Sequence, residues 1–159
     1  MFSIGDKIVH PMHGAGVVDS IVKQKVDGMV RQYYVIKMPI GNMLVMVPTD
    51  NTEGIGVRPV IDSSRATELI ESLSGIEIEL TPNWNKRYRE NMLRIKSGDL
   101  TEVAKVIKGL MSRERQRGLS TGERKMLHSA KQILISELVL AMNDQSYEEM
   151  EKLITNEMA

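Results

Sequence analysis

The first sixty residues alternate hydrophobic and polar positions with the two-residue period that is typical of β-strands. Runs rich in Val, Ile and Tyr, which suit a pleated surface, are separated by turn residues. The predicted strands are 7–10, 17–25, 29–38 and 43–47. Asp27-Gly28 is the two-residue signal for a type I′ hairpin, because glycine tolerates positive φ. Short strands with such tight turns predict a small, strongly bent sheet or barrel over residues 1–60.

Two features refine this picture of the strands. Gly14-Ala15-Gly16 is expected to let a strand bend or form a bulge. Pro48 closes the run 43–47, and a strand interrupted so early is more at home at the edge of a sheet than in its middle. Met43 and Met46 would lie on opposite faces of that strand, so we expect at least one of them to be exposed.

From Asp62 onward the hydrophobic positions follow a helical period instead. Glycines end several of the predicted helices, and capping residues begin them: Asp99 with Glu102, Ser120 with Glu123, and Ser146 with Glu149. The predicted helices are 62–74, 84–96, 99–118, 120–142 and the segment from 146 onward. They predict a compact helical bundle. The expected fold class is α+β, with residues 61–82 as a helix and linker and residues 83–159 as the helical domain.

The composition removes most classes of enzyme. The chain has no cysteine, which excludes disulfides, thiolate zinc sites and cysteine nucleophiles. Neither glycine-rich phosphate motif occurs, whether GxxxxGK followed by Ser or Thr, or GxGxxG. His10 and His13 flank a predicted bend without a third ligand nearby, so we interpret them as loop or strand-end residues rather than metal ligands. We expect no enzymatic activity, no cofactor and no metal.

The hydropathy pattern also bears on location. No apolar run has the length of a signal-peptide core or of the ~18 residues of a membrane span. The lack of cysteine fits a reducing compartment. We therefore expect a soluble, cytoplasmic protein without membrane contact.

The charges are segregated along the chain, although the formal net charge is zero. Residues 84–131 hold thirteen basic and five acidic side chains, a local excess of +8. Residues 57–83 and 132–159 carry −3 and −5, and residues 1–56 are neutral. A local excess of this size is typical of contact with a polyanion. A solvated helical surface balanced by the acidic tail is the alternative, and the charges alone do not separate the two.

Trp84 is the single tryptophan of the chain and lies at a predicted helix start. Lys86, Arg87 and Arg89 follow it. Cations bind phosphates and an apolar side chain can wedge at a base step, so this cluster is typical of nucleic-acid binding. The alternative is a tryptophan packed where the linker meets the bundle, under the stems of its basic neighbours. We expect Trp84 to be exposed.

A second basic cluster follows on the long helix. Arg124, His128 and Lys131 share one helix face at i, i+4 and i+7, and Lys125 lies beside them. The capped N-terminus near Gly122 offers free N–H groups to a phosphate. A solvated helix face is again the alternative, but two basic clusters and a tryptophan in one small domain favour DNA. We expect Arg124 and Lys125 to contact the DNA backbone rather than bases.

Three motifs resemble the CarD-like (CarD/CdnL/TRCF) family of bacterial transcription regulators. They are residues 5–16 (GDKIVHPMHGAG), Asn83-Trp84 followed by Arg87-Tyr88, and residues 117–127 (RGLSTGERKML). The three occur in this order over nearly the whole chain. The helicase motors of the transcription-repair coupling factors, which share the N-terminal module, do not occur in this sequence.

The resemblance implies a Tudor-like, SH3-type barrel that docks on the β subunit of RNA polymerase by pairing sheet edges. It also implies a helical domain that reaches promoter DNA at the upstream edge of the transcription bubble. In the family, the tryptophan at the position of Trp84 contacts the minor groove there and helps to keep the promoter open. Some members carry arginines in the polymerase-facing strands where this chain has Gln24 and Met46. We expect Lys25 or exposed methionine surface to substitute for them.

The resemblance and the residue pattern together assign two sets of contacts. The expected polymerase-binding residues are Lys25, Met43, Val45, Met46 and Val47, with the strand 43–47 as the pairing edge. The expected DNA-binding residues are Trp84, Lys86, Arg87, Arg89, Arg124 and Lys125. We expect a monomer that joins the nucleoid through RNA polymerase. The competing hypothesis is a protein-interaction adaptor, whose basic face meets an acidic protein and whose Trp84 is buried.

Overall fold

The structure, a computed structural model, describes residues 1–79, 81–143 and 145–159; Leu80 and Asp144 lie outside the described residues. Its N-terminal part is a five-stranded antiparallel sheet and the remainder is mainly helical, which confirms the α+β class. Among the described residues, no helix combines the length and the apolar character that crossing a membrane requires.

The sheet has the strand order β4-β3-β2-β1-β5 and is open rather than closed into a barrel. The strands are β1 Lys7–His10, β2 Gly14–Val26, β3 Met29–Lys37, β4 Leu44–Pro48 and β5 Arg58–Pro59. A single helical turn, α1 Thr52–Ile55, joins β4 to β5. The strand that Pro48 ends is an edge strand, as its early stop predicts.

The hairpin of β2 and β3 has the predicted type I′ turn. Asp27 and Gly28 have φ angles of 51° and 78°, positive at both central positions as this turn requires. The irregularity in the pairing of β2 lies between Val18 and Ser20, not in the Gly14-Ala15-Gly16 segment where we expected it. β4 pairs only with residues 33–37 of β3, so the hairpin extends beyond it.

Five helices follow, and each begins at a side chain that accepts a backbone N–H from the first turn. They are α2 Ser63–Ser72, continued by a 3-10 turn over Leu73–Gly75, α3 Trp84–Lys96, α4 Leu100–Arg117, α5 Thr121–Met142 and α6 Tyr147–Met158. The capping residues are Asp62, Asn83, Asp99, Ser120 and Ser146. Capping of this kind satisfies N–H groups that have no partner within the helix.

The helices enclose a core whose centre is α5. Eight successive residues of α5, from Ile133 to Leu140, are all buried. A helix that is buried on every side must be surrounded by other elements. α2 contributes Ala66 and Leu69 to the same core, so the helix within residues 61–82 packs into the bundle.

The sheet packs directly on α5. Val9 and Ala15 of the first two strands form an apolar cluster with Leu140 of α5. The Ala15 N–H donates to Ser136 Oγ over 2.8 Å in a buried position. The contact therefore combines apolar burial with a satisfied hydrogen bond.

An ion pair anchors the other edge of the sheet to the same helix. Glu137 of α5 is fully buried, and Arg58 of β5 donates to its two carboxylate oxygens over 2.7 and 2.8 Å. The Ile61 N–H donates to Glu137 Oε2 over 3.0 Å. Because a buried carboxylate needs such partners, this pairing fixes where the sheet lies on the bundle. The sheet and the helices form one packed unit.

Gly14 lies where the sheet comes closest to α5. Its φ is +99°, and a Cβ at this position would overlap Ser136 Oγ and lie 3.1 Å from the Gln132 carbonyl oxygen. We predict that Gly14→Ala lowers the free energy of unfolding by about 3 kcal/mol, measured by urea titration.

The matched control is Gly28→Ala at the hairpin turn. Gly28 also has a positive φ, +78°, but a Cβ at this position would have no neighbouring atom within 4 Å. Only backbone strain is expected there, about 1 kcal/mol. Equal losses for the two variants would contradict the close approach at Gly14.

Candidate functional site

Trp84 is the first residue of α3 and lies at the surface. Asn83 caps the helix by accepting the Lys86 N–H over 3.0 Å, which fixes the position of the preceding backbone. The Trp84 side chain is 42% exposed, a large fraction for an indole. The expected exposure of Trp84 is confirmed, and a tryptophan buried in the bundle is excluded.

Two neighbours hold the indole ring in one orientation. It stacks on the Tyr88 ring with 5.0 Å between the centroids and 18° between the planes. Its Nε1–H donates to Ser120 Oγ over 3.1 Å. A Cβ at Gly122 would lie 3.6 Å from the Trp84 ring, so the ring rests on the first turn of α5. Tyr88 covers one face of the indole, and Ser120 binds its polar edge, while 42% of the residue remains exposed.

Arg87 corrects an expectation from the sequence. Its side chain is not directed at solvent; the residue is 4% exposed and donates to both Glu123 oxygens, over 2.8 and 3.1 Å. Its Nη1 donates to the Thr81 carbonyl oxygen over 2.9 Å. A guanidinium with these buried partners cannot also bind a phosphate. The helical period of α3 indicates that Arg87 is buried, since Arg87 lies on the same helix face as the buried Ile95 two turns later.

The other cations assigned to DNA are exposed. Lys86, Arg89, Arg124 and Lys125 all lie at the surface. Lys86 lies 4.0 Å from a carboxylate oxygen of Glu90, a surface pair too weak to hold the ammonium in place. Because Trp84 contacts the start of α5, the first turns of α3 and α5 meet there. All four cations lie within the first two turns of these helices. Lys125 lines the same cleft as Tyr88 and Gly122, and Arg124 lies with His128 and Lys131.

The free edge of the sheet is the outer side of β4. The Thr49 N–H donates to the Gln32 carbonyl oxygen over 3.1 Å, and the Met38 N–H donates to that of Met43 over 3.0 Å. Hydrogen-bonded and non-hydrogen-bonded pairs alternate along an antiparallel ladder. The odd-numbered residues of β4 therefore use their backbone groups on β3, and the even-numbered residues direct theirs to the free edge.

This alternation shows which of the predicted polymerase-binding residues direct their backbone groups to the free edge. Leu44 and Met46 direct their backbone groups outward, and they are 57% and 41% exposed. Val45 and Val47 pair with β3 and pack into the sheet core, with Val47 only 1% exposed. This placement corrects the expectation that Val45 and Val47 offer contacts to a partner. Pro48 has no N–H to offer, which suits its place on the outward-facing register.

Met43 and Lys25 lie away from this edge. Met43 Sδ is 3.8 Å from Gln132 Nε2, so the side chain packs towards α5. Lys25 is exposed on the β2–β3 hairpin beyond the end of β4. Gln24, by contrast, lies beside the edge, with its Nε2 3.9 Å from Met46 Sδ. The two positions where some family members carry arginine are therefore in contact.

The sheet also exposes apolar side chains. Leu44 and Met46 lie on β4 itself, and Ile21, Val26, Met29 and Val30 lie on the β2–β3 hairpin. Exposed apolar patches on a soluble protein mark contact with another macromolecule. The edge of β4 thus offers free backbone groups next to apolar surface.

The two N-terminal histidines lie side by side. Their rings are 4.5 Å apart, and the Met12 N–H donates to His10 Nδ1 over 3.0 Å. Burial, and secondarily the charge of His13, lowers the pKa of His10. Across the part of the chain that the structure describes, no three His, Cys, Asp or Glu side chains cluster in a way that could hold a metal ion.

Comparison with known proteins covers both parts of the chain. A family model described as "CarD-like/TRCF RID domain" matches residues 2–61, and one described as "CarD, C-terminal domain" matches residues 68–155. A protein of Bacillus subtilis (strain 168) named "Putative transcription factor YdeB" is 40% identical over 138 residues. The match spans 87% of this chain and 90% of that protein.

The ion pair beneath Trp84 predicts a dependence of stability on pH. Hydrogen bonds from Arg87 hold the pKa of Glu123 below its ordinary value of 4.5, and the charges of Arg87 and Arg113 add to this effect while burial opposes it. Since the unfolded chain binds the proton more tightly, the pair contributes its full stability above pH 4.5 and loses it as the pH falls through the lowered pKa.

We therefore predict that Glu123→Gln lowers the free energy of unfolding by about 3 kcal/mol at neutral pH. The difference from the wild type should shrink as the pH is lowered from about 5 to about 3. Urea titrations across this range measure it. Parallel stability curves for the two proteins would show that Glu123 does not titrate as a paired carboxylate.

Proposed function

The chain belongs to the CarD-like family of transcription regulators, and from this membership we propose that it stabilises the open promoter complex from two contacts. Its sheet binds the β subunit of RNA polymerase, and Trp84 with the exposed cations of α3 and α5 contacts promoter DNA at the upstream edge of the bubble. The protein acts in the cytoplasm, on the nucleoid, through its attachment to polymerase.

The observation that most supports the proposal is the fixed orientation of the exposed Trp84 ring. An indole that is 42% exposed would normally be free to change rotamer, yet this one is stacked on Tyr88 and tied to Ser120. Lys86, Arg89, Arg124 and Lys125 are exposed within the first two turns of the two helices that meet at Trp84. An oriented aromatic face with exposed cations on the same two helices suits a base beside phosphate backbones.

The stacking of Trp84 on Tyr88 also favours a DNA junction over a continuous duplex. A side chain that intercalates between two base pairs presents both faces to them. Trp84 has one face covered by Tyr88, so it can stack on a single base or on the last base pair of a duplex. The edge of a transcription bubble offers such a surface. We infer a preference for a junction between paired and unpaired DNA.

The cations around Trp84 supply affinity without sequence recognition. Exposed lysine and arginine side chains neutralise phosphates and release counterions, which makes binding dependent on salt. The described helices carry no pattern of side chains that would read base edges in the major groove. We therefore expect the protein to act on DNA according to its structure and not its sequence.

The polymerase contact is the free edge of β4. Leu44 and Met46 direct backbone groups outward, and a strand added there would continue the antiparallel sheet. The exposed side chains of Leu44 and Met46 lie beside it as apolar contacts. Attachment through this edge raises the local concentration of the helical part at the promoter, so its own affinity for DNA can be low.

We predict that Trp84→Ala shortens the lifetime of open complexes about tenfold, the effect of losing one base–aromatic stack. Heparin challenge of promoter complexes measures the lifetime. The affinity for polymerase should be unchanged, and the loss of DNA binding should be larger on a fork junction than on paired duplex. An equal loss on both DNAs would indicate intercalation instead.

Arg124→Ala/Lys125→Ala serves as the comparison variant. It should weaken DNA binding similarly on unrelated sequences and reduce the slope of log affinity against log salt by about 2. Trp84→Ala should leave that slope nearly unchanged, because the indole contacts no phosphate. A protein-interaction adaptor would show neither dependence.

The edge contact is tested at Met46, whose N–H faces outward. Met46→Pro removes this donor and leaves the pairing of β4 with β3 in place, so we predict at least a tenfold loss of polymerase affinity, on the order of one lost hydrogen bond. Met46→Ala keeps the donor and should cost only about threefold. Val45 is unsuited to this test because its N–H belongs to the β3 ladder.

Circular dichroism and thermal melting of Met46→Pro provide the control for folding. Fluorescence titration against polymerase gives the affinity of each variant. If folded Met46→Pro binds polymerase as tightly as the wild type, another surface makes the contact.

A further inference from the structure

The carboxylate of Glu123 is the centre of a buried network beneath Trp84. Glu123 is 2% exposed and accepts hydrogen bonds from Nε and Nη2 of Arg87. Arg113 Nε lies 3.9 Å from Glu123 Oε1 and, within the described residues, this buried nitrogen has no hydrogen-bond partner. One carboxylate therefore lies between two guanidinium groups. Neither arginine is free to bind DNA through these atoms.

The Ser120 hydroxyl connects this network to the indole. Its oxygen accepts the Trp84 Nε1–H over 3.1 Å and the Glu123 N–H over 3.2 Å. Its own hydrogen has Glu123 Oε1 as acceptor, at 3.5 Å. A hydroxyl has one hydrogen and two lone pairs, so all of its bonding capacity is used. With the hydrogen directed at the carboxylate, a lone pair faces the indole N–H.

Arg87 connects the same carboxylate to the start of α3. Its Nη1 donates to the carbonyl oxygens of Thr81 and Pro82, over 2.9 and 3.2 Å. These residues lead into Asn83, the cap of the helix on which Trp84 lies. The position of the Trp84 backbone and the orientation of its ring thus both depend on Glu123.

We propose that Glu123 is a positioning residue for Trp84, acting on the ring through Ser120 and on the backbone through Arg87. The proposal rests on the DNA contact proposed above for its role in transcription, but the immobilisation of the ring can be measured without DNA. An exposed aromatic side chain that is already ordered loses less conformational entropy when it binds. A preorganised contact of this kind needs support from the residues behind it.

The chain offers a matched control for the buried charge. Glu137 lies on the same helix, is fully buried and pairs with Arg58 through both oxygens. Glu137→Gln removes the same charge from a pair that is also bidentate, here through both terminal nitrogens of Arg58, and affects the attachment of the sheet. Glu123→Gln removes the charge beneath Trp84. Any effect of lost stability alone should appear in both variants.

The single tryptophan makes the free protein its own reporter. We expect Glu123→Gln to raise the rate constant of acrylamide quenching of Trp84 fluorescence about twofold and to lower its steady-state anisotropy, because losing a charged hydrogen bond loosens the ring. Glu137→Gln should change neither. In promoter complexes, Glu123→Gln should shorten the open-complex lifetime about fivefold, with polymerase affinity unchanged.

Substitutions at Ser120 test the same path without removing a buried charge. Ser120→Thr keeps the hydroxyl and the cap, and should retain both the fluorescence and the lifetime. Ser120→Ala should loosen the ring as Glu123→Gln does. If Glu123→Gln proves too unstable to measure, an unchanged ring mobility in folded Ser120→Ala still overturns the proposed path.

The outcomes separate the two proposals. Unchanged quenching and anisotropy in folded Glu123→Gln and Ser120→Ala, or equal changes in Glu137→Gln, would overturn the positioning role. A loosened ring together with an unaffected lifetime in Trp84→Ala would support the positioning role and reject the DNA contact. A shortened lifetime in Glu123→Gln without any change in Trp84 mobility would overturn the proposed path.

Discussion

Among the residues that the structure describes, two carboxylates are buried, and each must be matched by a guanidinium. The rest of the structure depends on how α5 meets this requirement. Glu123 takes Arg87 from α3, and Glu137 takes Arg58 from the edge of the sheet. Leaving either carboxylate buried and unpaired would cost several kcal/mol, roughly 3–5 for a broken pair. The two pairs therefore specify which elements lie against the two ends of one helix. Trp84 and the sheet are both placed by α5.

This arrangement separates the groups proposed to contact partners from the groups that orient them. Lys86 and Arg124 lie at the surface with few restraints. Trp84 is exposed too, but stacking on Tyr88 and the hydrogen bond to Ser120 limit its ring to one orientation. Binding energy that would otherwise be lost in ordering the side chain remains available for the contact.

Local signals in the sequence predicted much of this structure. The change of period at residue 62, the hairpin at Asp27-Gly28 and the caps at Asp99, Ser120 and Ser146 all depend on neighbours in the chain, and the structure has them. The exposure of Trp84 also followed from its place at a helix start. These features are set by residues within one turn of each other.

The features that the sequence did not predict are contacts between residues that lie far apart in the chain. Arg87 was assigned to DNA because its neighbours are cations, yet its partner Glu123 lies 36 residues away. The roles of Val45 and Met46 differ because the register with β3 decides which backbone groups face outward. The close contact between Gly14 and α5 likewise forms only when the sheet packs on that helix. Each depends on tertiary contacts that no local pattern encodes.

The helix α5 fixes the distance between the two ion pairs, because a helix is rigid along its axis. Glu123 and Glu137 lie fourteen residues apart, about 21 Å along the axis, and one inserted residue would add about 1.5 Å and turn one end by about 100° against the other. For the proposed function, this length sets the distance between the sheet that would attach to polymerase and the Trp84 ring that would contact DNA.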